Sequence, residues 1–210
     1  MPAHPVAESS ETGPRARIFA AAESLVAERG FETVSTRDIV ARAGVNVAAV
    51  NYHYGSKAQL LLDIFQTRAV ELNRERAALL KAAVAHDPGD ARGILRALVE
   101  PPTLWTSPER QIALRYLNRA RSEGPEEIRE IIQQDTRHLR RFVDALAVAL
   151  PAMSREEVLW RFHFALGVLH HNRPSDYDRL ALLSDGECDP EDREALLTRL
   201  IDFIAAGFGV

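Results

Sequence analysis

Gly44 stands between two short runs that each carry the marks of a helix, and this arrangement constrains the fold more tightly than anything else in the chain. Before it, Ser35 or Thr36 offers an oxygen to free helix N–H groups, and Asp38 falls in the first turn, where the helix dipole favours negative charge. Ile39, Val40 and Ala43 share one face, and Gly44 can take the left-handed conformation that ends a helix without steric penalty. After it, Val45 fills the angle between two helices, Asn46 caps the second, and residues 47 to 53 read Val-Ala-Ala-Val-Asn-Tyr-His. Ala48 and Ala49 let that helix lie close against another surface, while Asn51, Tyr52 and His53 carry polar groups at its far end. Gly55-Ser56-Lys57 ends it and opens the next helix, with Lys57 in the first turn. The spacing predicts a helix-turn-helix. Such a helix fits the major groove, where Asn and Tyr bond base edges or phosphates and small apolar side chains meet the thymine methyl. Lys57 beside free helix N–H groups suits a phosphate oxygen. Two plain surface helices, with Tyr52 and His53 packed on neighbours, would leave the coincidence of caps, turn and polar cluster unexplained.

The net charge of −4 looks wrong for a DNA binder until it is divided along the chain. Residues 15 to 60 hold six Lys or Arg against four Asp or Glu, a surplus of two positive charges, while Glu8 and Glu11 precede them and a net −4 falls in residues 61 to 210. DNA is therefore expected at the N-terminal part. With so few cations to displace counterions, a single copy should bind weakly, and two copies would double the phosphate contacts. At 46% hydrophobic and 27% charged, the chain can bury a real core. Cys188 is the single cysteine, which rules out an internal disulfide and a Cys-based metal site; its acidic neighbours disfavour a reactive thiolate. Nothing approaches the roughly 20 apolar residues of a membrane span. The first 14 residues lack a signal-peptide core and are expected to be a disordered arm. A cytoplasmic location is expected.

Beyond Lys57 the pattern is helical throughout, with no strand-like alternation. Leu61, Ile64, Phe65, Leu72 and Leu79 carry a long helix to about His86, broken by Asp87-Pro88-Gly89-Asp90. A short helix is predicted over residues 91 to 100 and stopped by Pro101-Pro102; another spans 108 to 123 with Ser107 as cap and Pro108 at its first position. Residues 126 to 150 read as one uninterrupted helix, with Ile128, Ile131, Ile132, Leu139, Phe142, Val143, Leu146 and Leu150 on one side. Ser154 and Glu157 have capping-box spacing at the head of a helix over residues 154 to 171. A polar stretch containing Asp176, Asp178, Asp185 and Gly186 then leads to a last helix over about 190 to 208.

The run Arg-Ile-Phe-Ala-Ala-Ala-Glu-Ser-Leu-Val-Ala-Glu-Arg-Gly-Phe-Glu-Thr-Val-Ser-Thr-Arg-Asp-Ile-Val-Ala-Arg-Ala-Gly-Val, followed by Val-Asn-Tyr-His-Tyr-Gly-Ser-Lys, resembles the DNA-binding domain of the TetR/AcrR family of bacterial transcriptional repressors over residues 15 to about 65. The resemblance implies an all-α protein: an arm (1–14), a three-helix helix-turn-helix domain (15–60) and a larger helical effector-binding and dimerisation domain (61–210). It implies phosphate contacts from Thr36 and Lys57 and places Val47, Ala48, Asn51, Tyr52 and His53 toward the groove or its walls; Arg37 and Asn46 complete the candidate set. Many family members carry Tyr at the position of Asn51 and Thr or Ser at that of Ala49, so base preference does not transfer from them.

The family forms homodimers through its last long helices, which here implies the segments at 154–171 and 190–208, with Phe162, Leu166, Leu169, Leu197, Ile201 and Ile204 as interface candidates. The alternative is that these residues fill the monomer core. The middle helices are expected to enclose a small, apolar effector. Phe65, Trp105, Tyr116, Arg115, Phe142 and His163 are the candidates; Trp160, Arg119, Gln133 and His138 are further large or polar groups nearby in sequence. Trp-Arg-Phe-His-Phe-Ala-Leu-Gly at 160–167 is similar to a branch whose effectors are fatty acids or acyl-CoA esters. His170 and His171 lie near Asp176 and Asp178, but adjacent helical side chains point about 100° apart, so no metal site is assigned. No catalytic constellation, cofactor loop or His-Glu-x-x-His pattern occurs. Two rivals to the effector-released repressor are a DNA-binding regulator without an effector and a helical enzyme or scaffold that has lost DNA binding.

Overall fold

The structure, a computed structural model, describes residues 13–171 and 174–210. Most of the expected N-terminal arm, residues 1–12, therefore lies outside the described residues, while Pro14 already opens a helix. All regular structure among the described residues is helical: α1 (Pro14–Arg29), α2 (Thr36–Ala43), α3 (Val47–Tyr54), α4 (Lys57–His86), α5 (Ala91–Leu104), α6 (Pro108–Glu123), α7 (Glu126–Gln134), α8 (Arg137–Ala149), α9 (Arg155–His171), α10 (Pro174–Leu183) and α11 (Arg193–Phe208).

The packing divides the chain into two compact units, and they do not follow the chain order. Unit 1 takes the described residues up to Ala69 together with Pro108–Ile132; unit 2 takes Val70–Ser107 and Gln133–Val210. A division at residue 60 follows the resemblance, whereas the unit built around α1 also recruits α6.

In unit 1, Ile18, Ala22, Leu25 and Val26 of α1 face Ile39, Val50, Leu60 and Ile64 in a buried core. Glu23 of α1 is buried and takes a two-pronged bond from Arg68 of α4, at 2.6 and 2.9 Å. Tyr116 of α6 is fully buried beside Phe31, and its hydroxyl donates to the Leu61 carbonyl at 2.6 Å. Burial pushes that phenol far above its ordinary pKa, so it stays a donor. Arg119, also on α6, donates to the carbonyls of Ala27 and Glu28 at 3.1 and 3.2 Å, placing a cation on the C-terminal end of α1, where the helix dipole favours it.

In unit 2, α5 packs on α8 and α11, and α9 on α8 and α11. Ile94, Leu95, Leu98, Phe142, Leu146, Val158, Leu197 and Ile204 form its core.

Three helix boundaries differ from the sequence expectation. First, α5 runs through Pro101-Pro102 to Leu104. A proline at 102 has no N–H for the Leu98 carbonyl four residues back. The buried Arg76 supplies one instead, its Nε donating to Leu98 O at 2.9 Å. Second, the helix expected over 126–150 breaks at Asp135-Thr136, where Arg137 turns back to bond Asp135 at 2.9 and 3.3 Å. The break serves packing: Ile128 is buried in unit 1, whereas Phe142, Val143 and Leu146 are buried in unit 2. Third, the stretch read as polar holds α10, with Pro174 at its first position and Tyr177 buried beneath the Arg193 guanidinium. At the head of α9, Ser154 Oγ accepts from Glu157 N at 3.2 Å as expected, but the Glu157 carboxylate pairs with Arg161 at 2.6 Å.

Candidate nucleic-acid interface

The α2–turn–α3 unit is built from local bonds. Ser35 Oγ accepts from Asp38 N at 3.2 Å while Asp38 accepts from Ser35 N at 2.8 Å, a reciprocal cap. The Ser35 hydroxyl, more than any other group, holds the Asp38 carboxyl below the usual aspartate range. Gly44 takes φ 63°, ψ 43°, the left-handed conformation that turns the chain toward α3. Asn46 Oδ1 caps α3 by accepting from Ala48 N at 3.0 Å.

The two faces of α3 are sharply divided. Val50 and Tyr54 are buried, and the Tyr54 hydroxyl donates to Arg15 O at 2.9 Å with the Arg15 guanidinium 5.4 Å over its ring. Burial is the main cause of a raised Tyr54 pKa. Sequence reasoning missed this anchor, although its spacing of four from Val50 marks it as an inward position. Elsewhere on α3, Val47 in the first turn is 50% and Tyr52 85% exposed, with Ala48 and Asn51 exposed between them and the capping Asn46 exposed before them. His53 is half-buried, its ring edge-on to Tyr52 at 5.0 Å; Thr36 is half-buried and Arg37 exposed on α2.

Lys57 has a different posture. It is half-buried, and its ammonium donates to the carbonyls of Val34 and, at 3.4 Å, Phe31. Two of its three N–H donors thus brace the segment between α1 and α2. Arg42 is likewise engaged, bonding Glu28 through both nitrogens at 3.2 Å.

The six candidate effector residues are not gathered into one site of either unit. Phe65, Tyr116 and the exposed Arg115 belong to unit 1; Trp105, Phe142 and His163 belong to unit 2. Trp105 is buried with its indole N–H on Glu75 at 2.7 Å, and His163 lies on the outer side of α9. Phe142 lines a groove, an opening of about 560 Å³ between α4 and α8, which His138 also borders.

The interface candidates fall mostly inside. Phe162, Leu197, Ile201 and Ile204 are buried in the core of unit 2, and Leu166 and Leu169 are partly buried. The sequence pattern identified the apolar face of each helix, but that face is spent on the subunit's own core. Among the described residues of these two helices, the large apolar groups that remain exposed are Leu159, Trp160 (54%) and Phe164 (62%) on α9 and Phe203 (67%) on α11. Trp160 and Phe164 stack at 6.0 Å.

No group of three or more His, Cys, Asp or Glu able to hold a metal occurs among the described residues, which exclude the side chains of His171 and Asp176. No helix among them is long and apolar enough to cross a membrane.

With this geometry in view, residues 18–64 match the model for bacterial regulatory proteins of the tetR family, and residues 96–207 match that for the tetracyclin repressor-like C-terminal domain. No curated protein matches the chain. Among solved structures, a TetR-like transcriptional regulator from Rhodococcus sp. RHA1 is similar over 95% of this chain and 100% of its own, at 20% identity and TM-score 0.62. NalD, the secondary repressor of the MexAB-OprM multidrug efflux pump in Pseudomonas aeruginosa, is 22% identical over 95% and 98%, with TM-score 0.58. The fatty acid degradation regulator FadR from Bacillus halodurans is 14% identical over 95% and 96%, also at 0.58. At these identities the likeness is one of fold.

Proposed function

This chain belongs to the TetR family of bacterial regulatory proteins, and from that premise we propose that it is a homodimeric repressor that a small molecule releases from a two-fold symmetric operator in the cytoplasm. The observation that carries the proposal is the division of α3: Val50 and Tyr54 anchor it while Val47, Ala48, Asn51 and Tyr52 form one open stripe. Asn51 and Tyr52 bond base edges or phosphates, and Val47 and Ala48 approach thymine methyls. Arg37 and Thr36 contact the backbone at the head of α2. Lys57 braces the turn with two donors and offers the third to phosphate.

Dimerisation uses the outer side of α9 and α11. Trp160, Phe164 and Phe203 are large, apolar and open, whereas the residues first expected there are already covered by their own subunit. Two copies place two α3 helices on half-sites about one DNA turn apart or more.

The effector acts through α4, one unbroken helix whose first turn holds Lys57 and whose later turns border the groove in unit 2. A ligand that binds one setting of α4 more tightly than another changes the spacing of the recognition helices, and its differential affinity sets how far the balance can shift. A fatty acid or acyl-CoA is the narrower reading, drawn from residues 160–167. That segment's exposed side chains, Trp160, His163 and Phe164, belong to the proposed dimer face, so they do not support an effector class.

Selection of bound duplexes from a random pool tests this function. Enrichment of inverted repeats is the expected result; a pool that never enriches would remove the proposal.

A further inference from the structure

The groove between α4 and α8 carries a charge that the rest of its unit does not. Unit 2 holds fourteen Lys or Arg against eighteen Asp or Glu, yet four arginines, Arg74, Arg76, Arg137 and Arg141, border this one opening with a single carboxylate, Asp135. Their placement follows from helix geometry. Arg137 and Arg141 are four apart on α8 and so share a face, and Arg74 and Arg76 come from α4 on the other side. Arg76 is more than nine-tenths buried and fixed by its bond to Leu98 O, so the inner part of the site is built rather than assembled from waving surface chains. Arg137 is turned onto Asp135, which is held below the usual carboxylate range chiefly by that bond. Arg74 and Arg141 are exposed and have no acidic partner among the described residues. The floor is apolar, formed by Leu80 and Phe142.

We infer that this groove binds a small anion, a carboxylate or phosphoryl group carried on a short apolar body, with Arg74 and Arg141 gripping the charge and Leu80 and Phe142 receiving the body. Guanidinium groups match both oxyanions through paired N–H donors, and an opening of about 560 Å³ is of the size that encloses such a molecule. Asp135 acts as a built-in competitor. It occupies Arg137 when the groove is empty and opposes an incoming anion. The site stands on its own geometry, and only its regulatory consequence rests on the effector reading above.

The test is calorimetric titration of the full chain with octyl phosphate, octanoate and 1-octanol at low salt. Both anions bind and the alcohol binds at least about tenfold more weakly, since only the anions form charge-assisted hydrogen bonds; the stronger of the two identifies the headgroup. Raising the salt weakens the anions and leaves the alcohol unchanged. Arg74→Ala with Arg141→Ala, both exposed and so harmless to folding, lowers anion affinity about tenfold or more. Asp135→Asn raises it several-fold by freeing Arg137. Equal binding of anion and alcohol, or anion affinity untouched by the double substitution, would overturn the site. Operator affinity, measured separately, tells the two readings apart: anions that bind through these arginines without changing DNA affinity leave the site standing and remove its role as the effector site.

Discussion

At the scale of single residues, the helix-turn-helix is held by short bonds whose chemistry is legible in the sequence itself. Ser35, Asp38, Gly44 and Asn46 each do what their side chains or backbone allow in isolation, because a cap or a left-handed turn involves partners within a few positions. Asp38 gives this a pH dependence. Its carboxyl is held below the ordinary aspartate value by Ser35, so folding favours the ionised form. The cap's contribution is complete at neutral pH, begins to fade as pH falls into the ordinary aspartate range near 3.8, and is lost below the depressed folded value. Amide protection at Ser35 and Asp38, taken relative to the exchange rate of the unstructured chain at each pH and followed from about pH 5 downward, should fall in that window; Asp38→Asn should remove the pH step. Lys57 shows where local reasoning stops. Its position in a first turn was legible, but the carbonyls that its ammonium meets lie 23 and 26 residues earlier, and only the packed α1 brings them there.

At the scale of helices, periodicity located most elements, and it erred where a distant side chain changes what a helix can tolerate. Two prolines stop a helix when the freed carbonyls have no donor. In α5 one of them has Arg76, a partner 22 residues away that no reading of residues 91–104 could supply. This makes a paired prediction. Arg76→Met leaves Leu98 O without its donor in a buried place and should cost about 1–3 kcal/mol in denaturant unfolding. Adding Pro102→Ala restores a backbone N–H for the same carbonyl and should recover part of the loss; a double variant no more stable than the single one would show that the arginine serves α5 in some other way. The division of residues 126–149 has a similar origin. A continuous apolar stripe was legible, but its two halves are claimed by different cores, and two polar residues, Asp135 and Thr136, give the chain its place to bend. The interface candidates meet a related limit. An apolar face read from sequence does not say whether the subunit or its partner will cover it. Phe162 and Ile201 are covered by their own subunit, so the proposed interface uses the exposed Trp160, Phe164 and Phe203 instead.

At the scale of the whole molecule, the account requires two copies. Unit 1 has twelve Lys or Arg and twelve Asp or Glu, so one copy attracts duplex DNA weakly and relies on a second to double its phosphate contacts. Phe164→Asp places a charge on the proposed dimer face at a residue already open to water, so the fold should persist while light scattering reports a monomer and operator affinity falls by more than about tenfold. A dimer unchanged by this substitution would move the interface elsewhere. The central claim is that the open stripe of α3 is what reads DNA, and its most direct measurement is the affinity of the selected duplex for the Asn51→Ala, Tyr52→Ala double variant by fluorescence anisotropy, with thermal melting followed in parallel. The account predicts a loss of about tenfold or more in affinity at an unchanged melting temperature, because both side chains face outward and contribute little to the core. Affinity equal to that of the parent chain would contradict it.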